Sequence, residues 1–165
     1  MATTKYRDAT VHLAGEPPSV GDPLIPFKLT LPDLTEFNSA ELTGRRVVLN
    51  IFPSIDTRIC ALSVRRFNEL AADLQNTTVV CISHDLPYAQ RRFCGAEGID
   101  AVVTASAFRS AFGADYGLTM QDGSMAGLLA RTVIVADAEG IVRHVQITET
   151  IGQEPDYDGA LAALR

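Results

Sequence analysis

The amino-acid sequence predicts an α/β domain in which a central mixed sheet is flanked by helices. Two continuous apolar runs predict the sheet, "RVVLNIF" at 46–52 and "TTVVCIS" at 77–83. Strands buried on both faces lose the polar–apolar alternation of half-exposed ones. Helical patterns after each run supply the connecting layer. "TVIVADAEGIVRHVQI" at 132–147 reads as a hairpin, which makes the sheet mixed.

The elements follow in order. A short strand is expected around Ala9–Leu13, and "GEPPSVGDPLIP" after it is a loop dense in proline and glycine. "FKLTLPDLTEFN" alternates like a strand and turn near a sheet edge, where Pro32 is tolerated. Pro53 ends the first buried strand. Cys60, Val64, Phe67, Ala71 and Leu74 then recur at helical spacing, opposite Arg66, Asn68, Glu69 and Asp73. After the second buried strand, "LPYAQRRFCG" places Pro87 at a helix start and Gly95 just past its end. "AVVTAS" is a third strand. The hairpin turns at Asp137–Gly140, with Gly140 at the positive-φ position, and "EPDYDGALAALR" closes the chain as a helix. This order matches the thioredoxin-like plan, with an N-terminal strand or hairpin added.

At 165 residues the chain is sized for one domain, 1–165, with a substantial core. A net charge of −6 argues against nucleic acid or an anionic membrane as partner. The basic pairs Arg65–Arg66 and Arg91–Arg92 read as solvated helix faces. The N-terminus shows no apolar signal region, and no apolar run approaches the ~18 residues needed to cross a bilayer. Three cysteines do not form a secreted disulfide framework. A cytoplasmic protein is expected, in which a disulfide serves catalysis or redox sensing.

Cys60 raises the central question, because it opens a helix with no second cysteine nearby. Unpaired backbone N–H groups and the positive dipole end of the first turn both favour thiolate over thiol. Thr57 is placed to be the N-cap, with its hydroxyl near the Cys60 backbone and sulfur. Arg58 adds positive charge. By position alone, Cys60 serves equally well as a small apolar side chain of the core face.

Pro53, Thr57 and Cys60 spell P-x-x-x-T-x-x-C, which resembles the active-site motif of the peroxiredoxins. "FPSIDTRICALSVRRFN", "CISHDLPYAQRRFCGAEGI", "DYGLTMQDGSMAGLLAR" and "EPDYDGALAAL" resemble the bacterial thiol peroxidases among them, the atypical two-cysteine type, over nearly the whole chain. The resemblance implies a peroxidase that reduces hydrogen peroxide and alkyl hydroperoxides and is recycled by thioredoxin. It implies that Cys60 attacks the O–O bond and becomes a sulfenic acid. Thr57 then hydrogen-bonds the substrate oxygen and sulfur, Arg131 stabilises charge, and Pro53 shields the sulfur from water. Cys94 matches the resolving cysteine, which forms an intramolecular disulfide with Cys60. A homodimer is implied, and neither cofactor nor metal.

Taken without the resemblance, Arg131 reads as a surface residue before a strand and Cys94 as a helix cysteine. Cys81, inside "VVCIS", reads as an inert core residue. His12, His84 and His144 show no metal spacing. Two alternatives compete: a cysteine hydrolase with His84 as base, and a zinc- or partner-binding module using Cys60, Cys81, Cys94 and His84.

Overall fold

The computed structural model describes residues 1–165. A seven-stranded sheet runs through the molecule. Its strands are β3 (Lys28–Thr30), β4 (Glu36–Asn38), β5 (Arg46–Ile51), β6 (Thr77–Ser83), β7 (Val103–Ser106), β8 (Thr132–Ala136) and β9 (Val142–Ile147), in the spatial order β4-β3-β7-β6-β5-β8-β9. β5, β6 and β7 are parallel neighbours. β8 joins β5 antiparallel, and β9 follows it as the expected hairpin, turning at Gly140 with φ +79°.

The two continuous apolar runs are explained by where their side chains go. Val47, Leu49 and Ile51 of β5 enter one core cluster, while Val48 enters the other. Val80 and Ile82 of β6 likewise oppose Val79 and Cys81. One face is covered by α1 (Arg58–Ala71), α2 (Pro87–Glu97) and α4 (Tyr157–Ala162), through Val64, Phe67, Phe93 and Ala160. The other is covered by the four-residue α3 (Phe112–Asp115), Leu42 of a single 3-10 turn, and irregular chain contributing Tyr116, Leu118, Met120 and Leu129.

The expected N-terminal extension takes the hairpin form: β1 (Thr3–Tyr6) precedes β2 (Ala9–His12), the strand expected at Ala9–Leu13, and pairs with it antiparallel. Its turn uses Arg7 and Asp8, both at positive φ (50° and 67°), and no glycine signals it. Val11 and Leu13 then pack into the core. One expectation is corrected: α2 passes through Gly95 and ends three residues later than expected. Gly98 adopts the left-handed conformation (φ +65°) and its N–H returns to the Cys94 carbonyl. Gly95 has open space around it and no need of positive φ, so it weakens the helix without ending it.

Candidate active site

Cys60 is the third residue of α1, directly beyond the C-terminal end of β5. Thr57 holds the N-cap position with extended backbone, and its carbonyl accepts the first helical hydrogen bond from Ala61. Its side chain departs from expectation. The exposed hydroxyl donates to the Ser54 carbonyl at 3.1 Å and caps no helical N–H. Pro53 is buried at the turn between strand and helix, Phe52 and Ile55 pack in the same cluster as Cys60, and Cys60 itself is fully buried.

Arg131 comes from the residue before β8 and overturns the surface expectation, being 2% exposed. Its Nη2 donates to Cys60 Sγ at 3.2 Å and its Nε to the Ile151 carbonyl at 2.9 Å. Nη1 has no partner, and none of the five ion pairs in the protein includes this guanidinium. The N-terminal hairpin contributes here. Ile151 N–H donates to the Lys5 carbonyl and Lys5 N–H to the Glu149 carbonyl, so β1 fixes the carbonyl that aims Arg131. Arg58 is exposed, and the hydrogen bond to the sulfur comes from Arg131 instead.

Cys94, in the last turn of α2, is half-buried and bonds Thr104 Oγ1 at 3.3 Å. Burial pushes its thiol up, and the Thr104 bond opposes that. Thr104 belongs to β7 and Arg131 adjoins β8, three sheet positions away, or about 14 Å at the usual spacing. All three cysteines are free thiols. The structure thus brings Arg131 to Cys60 but leaves Cys94 on a separate anchor. Cys81 is wholly buried, and its thiol is pushed up to about 12, burial outweighing a long contact from Asn50 Nδ2 at 3.7 Å.

Residues that the sequence did not single out support the site. Asn50 of β5 and Ser63 of α1 share a hydrogen bond at 3.3 Å, and Ser63 Oγ donates to the Cys60 carbonyl. Asp85 accepts from the Ile55 backbone and from Ser54 and Ser83. No local pattern marks Asn50 or Asp85 for these contacts, because Ser63 lies 13 positions from Asn50, and Ser54 and Ile55 lie 31 and 30 positions from Asp85. His84, the candidate hydrolase base, turns its Nδ1 to the Gly127 carbonyl at 2.9 Å. No group of three or more His, Cys, Asp or Glu side chains is placed to hold a metal ion.

Comparisons with known proteins agree with one another. The family model described as Redoxin matches residues 19–161. The chain is 54% identical over 164 residues to a thiol peroxidase of Corynebacterium glutamicum, covering 99% of each. It is 52% identical, at the same coverage, to a thiol peroxidase of Mycobacterium tuberculosis. Among solved structures, a peroxiredoxin-like protein from Aquifex aeolicus superposes with TM-score 0.92 at 34% identity, covering 97% of this chain and 94% of that one. A thiol peroxidase from Chromobacterium violaceum shares the fold, with TM-score 0.89 at 19% identity over 97% and 93% of the two chains. A buried cysteine–arginine pair on a thioredoxin-like sheet and relatives matched end to end lead to one conclusion: the chain belongs to the Redoxin family, as a thiol peroxidase of the peroxiredoxins, and its activity is that of a peroxidase.

Proposed function

We propose that Cys60 is the nucleophile of this peroxidase, acting on hydrogen peroxide and alkyl hydroperoxides. The observation that carries it is the Arg131 guanidinium: buried, aimed by Ile151, 3.2 Å from Sγ, and with Nη1 unpartnered. A donor held beside a sulfur, with no carboxylate to neutralise it, matches a thiolate and the charge that develops on a peroxide oxygen.

The Cys60 thiolate attacks one peroxide oxygen. An S–O bond forms as the O–O bond breaks, and the departing oxygen takes a proton to leave as water or an alcohol. Arg131 Nη1 donates to the reacting oxygens while Nη2 keeps the sulfur oriented. The Thr57 hydroxyl turns from the Ser54 carbonyl toward the substrate, and Pro53 keeps bulk water off the sulfur. Cys60 is left as a sulfenic acid. Cys94 then attacks that sulfur, water leaves, and an intramolecular disulfide joins the two. Because the thiols rest on separate anchors, this step requires local opening. α2 is the segment that opens, since it buries only Pro87 and Gln90, and segments with few buried contacts open first.

Thioredoxin, a dithiol of matching chemistry, reduces the disulfide by exchange. The protein acts in the cytoplasm as a homodimer, in keeping with its resemblance to the thiol peroxidases; no helix is long and apolar enough to cross a membrane. Peroxide consumption coupled to thioredoxin and its reductase tests the assignment. Cys60→Ser abolishes turnover, and Cys94→Ser stops after one sulfenic acid per chain. Substantial turnover in the first variant would show that the nucleophile lies elsewhere.

A further inference from the structure

The loop before Cys60 and the helix carrying Cys94 meet at one carboxylate. Asp85 lies between the end of β6 and Pro87, the first residue of α2. Its Oδ2 accepts from the Ile55 backbone N–H at 2.6 Å and from Ser83 Oγ at 2.5 Å. Its Oδ1 accepts from Ser54 Oγ at 2.8 Å. Charge-assisted hydrogen bonds of this length are the strong ones.

The network continues in both directions. Toward Cys60, the Ser54 carbonyl accepts from both the backbone N–H and the hydroxyl of Thr57, the N-cap of α1. Toward Cys94, Ser83 Oγ accepts from Nε2 of Gln90, at 3.2 Å. Gln90 is fully buried and, apart from Pro87, is the only buried residue of α2. Ser54, Ile55 and Asp85 themselves line a cleft of about 400 Å³ between loop and helix, together with Ala89, Arg92 and Phe93. Further along, the Arg65–Glu97 pair also joins α1 to α2, but exposed pairs of that kind contribute little.

We infer that Asp85 is a positioning residue that locks the Cys60 loop to the base of α2, so that the two cysteine segments leave their docked positions together. The inference rests on the roles proposed for Cys60 and Cys94. With the lock closed, Ser54 and Ile55 are fixed and Cys60 faces Arg131, the arrangement for attack on peroxide. With α2 displaced, Ser83 loses Gln90, Asp85, two residues before the helix, shifts with it, and the turn before Cys60 is released. One group therefore favours the first step and restrains the second.

Opposite effects on the two steps distinguish this role from general support of the fold. Stopped-flow fluorescence or rapid quench reads Cys60 oxidation by hydrogen peroxide and disulfide formation separately. Asp85→Ala is expected to slow oxidation by at least about tenfold, since small misplacements of reacting groups are costly, and to accelerate disulfide formation. Asp85→Asn keeps an acceptor for the Ile55 N–H and restores most of the oxidation rate. Ser54→Ala, which leaves the carboxylate in place, slows oxidation and accelerates disulfide formation as Asp85→Ala does, each by about two- to tenfold, the worth of one hydrogen bond. Should Asp85→Ala fail to fold, the Asn and Ser54 variants carry the test. Both steps slowing together, or oxidation unchanged in all three variants, would overturn the inference. Cys60→Ser that still reacts with peroxide, or Cys94→Ser that still forms the intramolecular disulfide, would instead overturn the roles beneath it.

Discussion

Replacing Arg131 with methionine separates activity from stability, and the structure gives the size of each effect. The variant keeps much of the buried stem but removes the only charged donor at Cys60 Sγ and the unpartnered Nη1. Loss of one such donor costs about 2.7–4 kcal/mol in the transition state, or about 10²–10³ in rate. Stability responds differently. The Ile151 carbonyl accepts from Nε, and leaving a buried carbonyl bare costs about 1–3 kcal/mol. Against that, the guanidinium is 2% exposed and has no carboxylate partner, and taking a charge out of water carries a desolvation penalty of several kcal/mol. The terms nearly cancel, so Arg131→Met is expected to unfold in urea within about 2 kcal/mol of wild type. Single-turnover oxidation by hydrogen peroxide, followed by stopped flow, should fall by about 10²–10³-fold. An oxidation rate within tenfold of wild type, or stability that collapses along with activity, would refute this account of the guanidinium.

Three other outcomes follow from the thiols. Cys81, with its thiol pushed up to about 12 by complete burial, should stay unmodified by alkylating reagent in the folded protein, and Cys81→Ala should leave peroxidase turnover intact; mass spectrometry that finds Cys81 labelled before unfolding would contradict its inert role. On oxidation, residues 86–96 should lose amide protection in hydrogen exchange while β5 and β6 keep theirs, and identical protection in both redox states would exclude the opening of α2. Cys94 adds a pH dependence to that opening. Its docked thiol is raised above the ordinary 9.0 by burial, so the stability it lends α2 is complete below pH 9.0 and is lost as pH rises through the higher folded value. In reduced Cys60→Ser protein, cleavage of α2 by protease should increase above pH 9.0, and Cys94→Ser should remove the increase.

The sequence by itself determined the elements whose pattern is local. β6 occupies 77–83 as expected, because a strand buried on both faces writes its environment into consecutive residues. Cys60 at the start of a helix was legible for the same reason: Val64 and Phe67 follow it at helical spacing. The chemistry was legible through resemblance: Pro53, Thr57 and Cys60 match the peroxiredoxin motif, whereas position alone left Cys60 open between nucleophile and core residue.

The tertiary structure decided what depends on convergence. Nothing adjacent to Arg131 shows that it is buried. Its two partners lie 71 and 20 residues away, and they meet only because β8 joins β5 and the N-terminal hairpin clamps the chain around Ile151. The Thr57 hydroxyl was misread because it had two acceptable local partners, and the turn at Ser54 chose between them. Gly95 could have ended α2, but only Gly98 reached the left-handed geometry that returns an N–H to Cys94. Asp85 is one carboxylate in an unremarkable loop until the sheet carries Ser54 and Ile55 to it from 30 residues upstream. Periodicity records which face of an element is buried, but not which distant groups will share that face. That is fixed only when the strands close into one sheet.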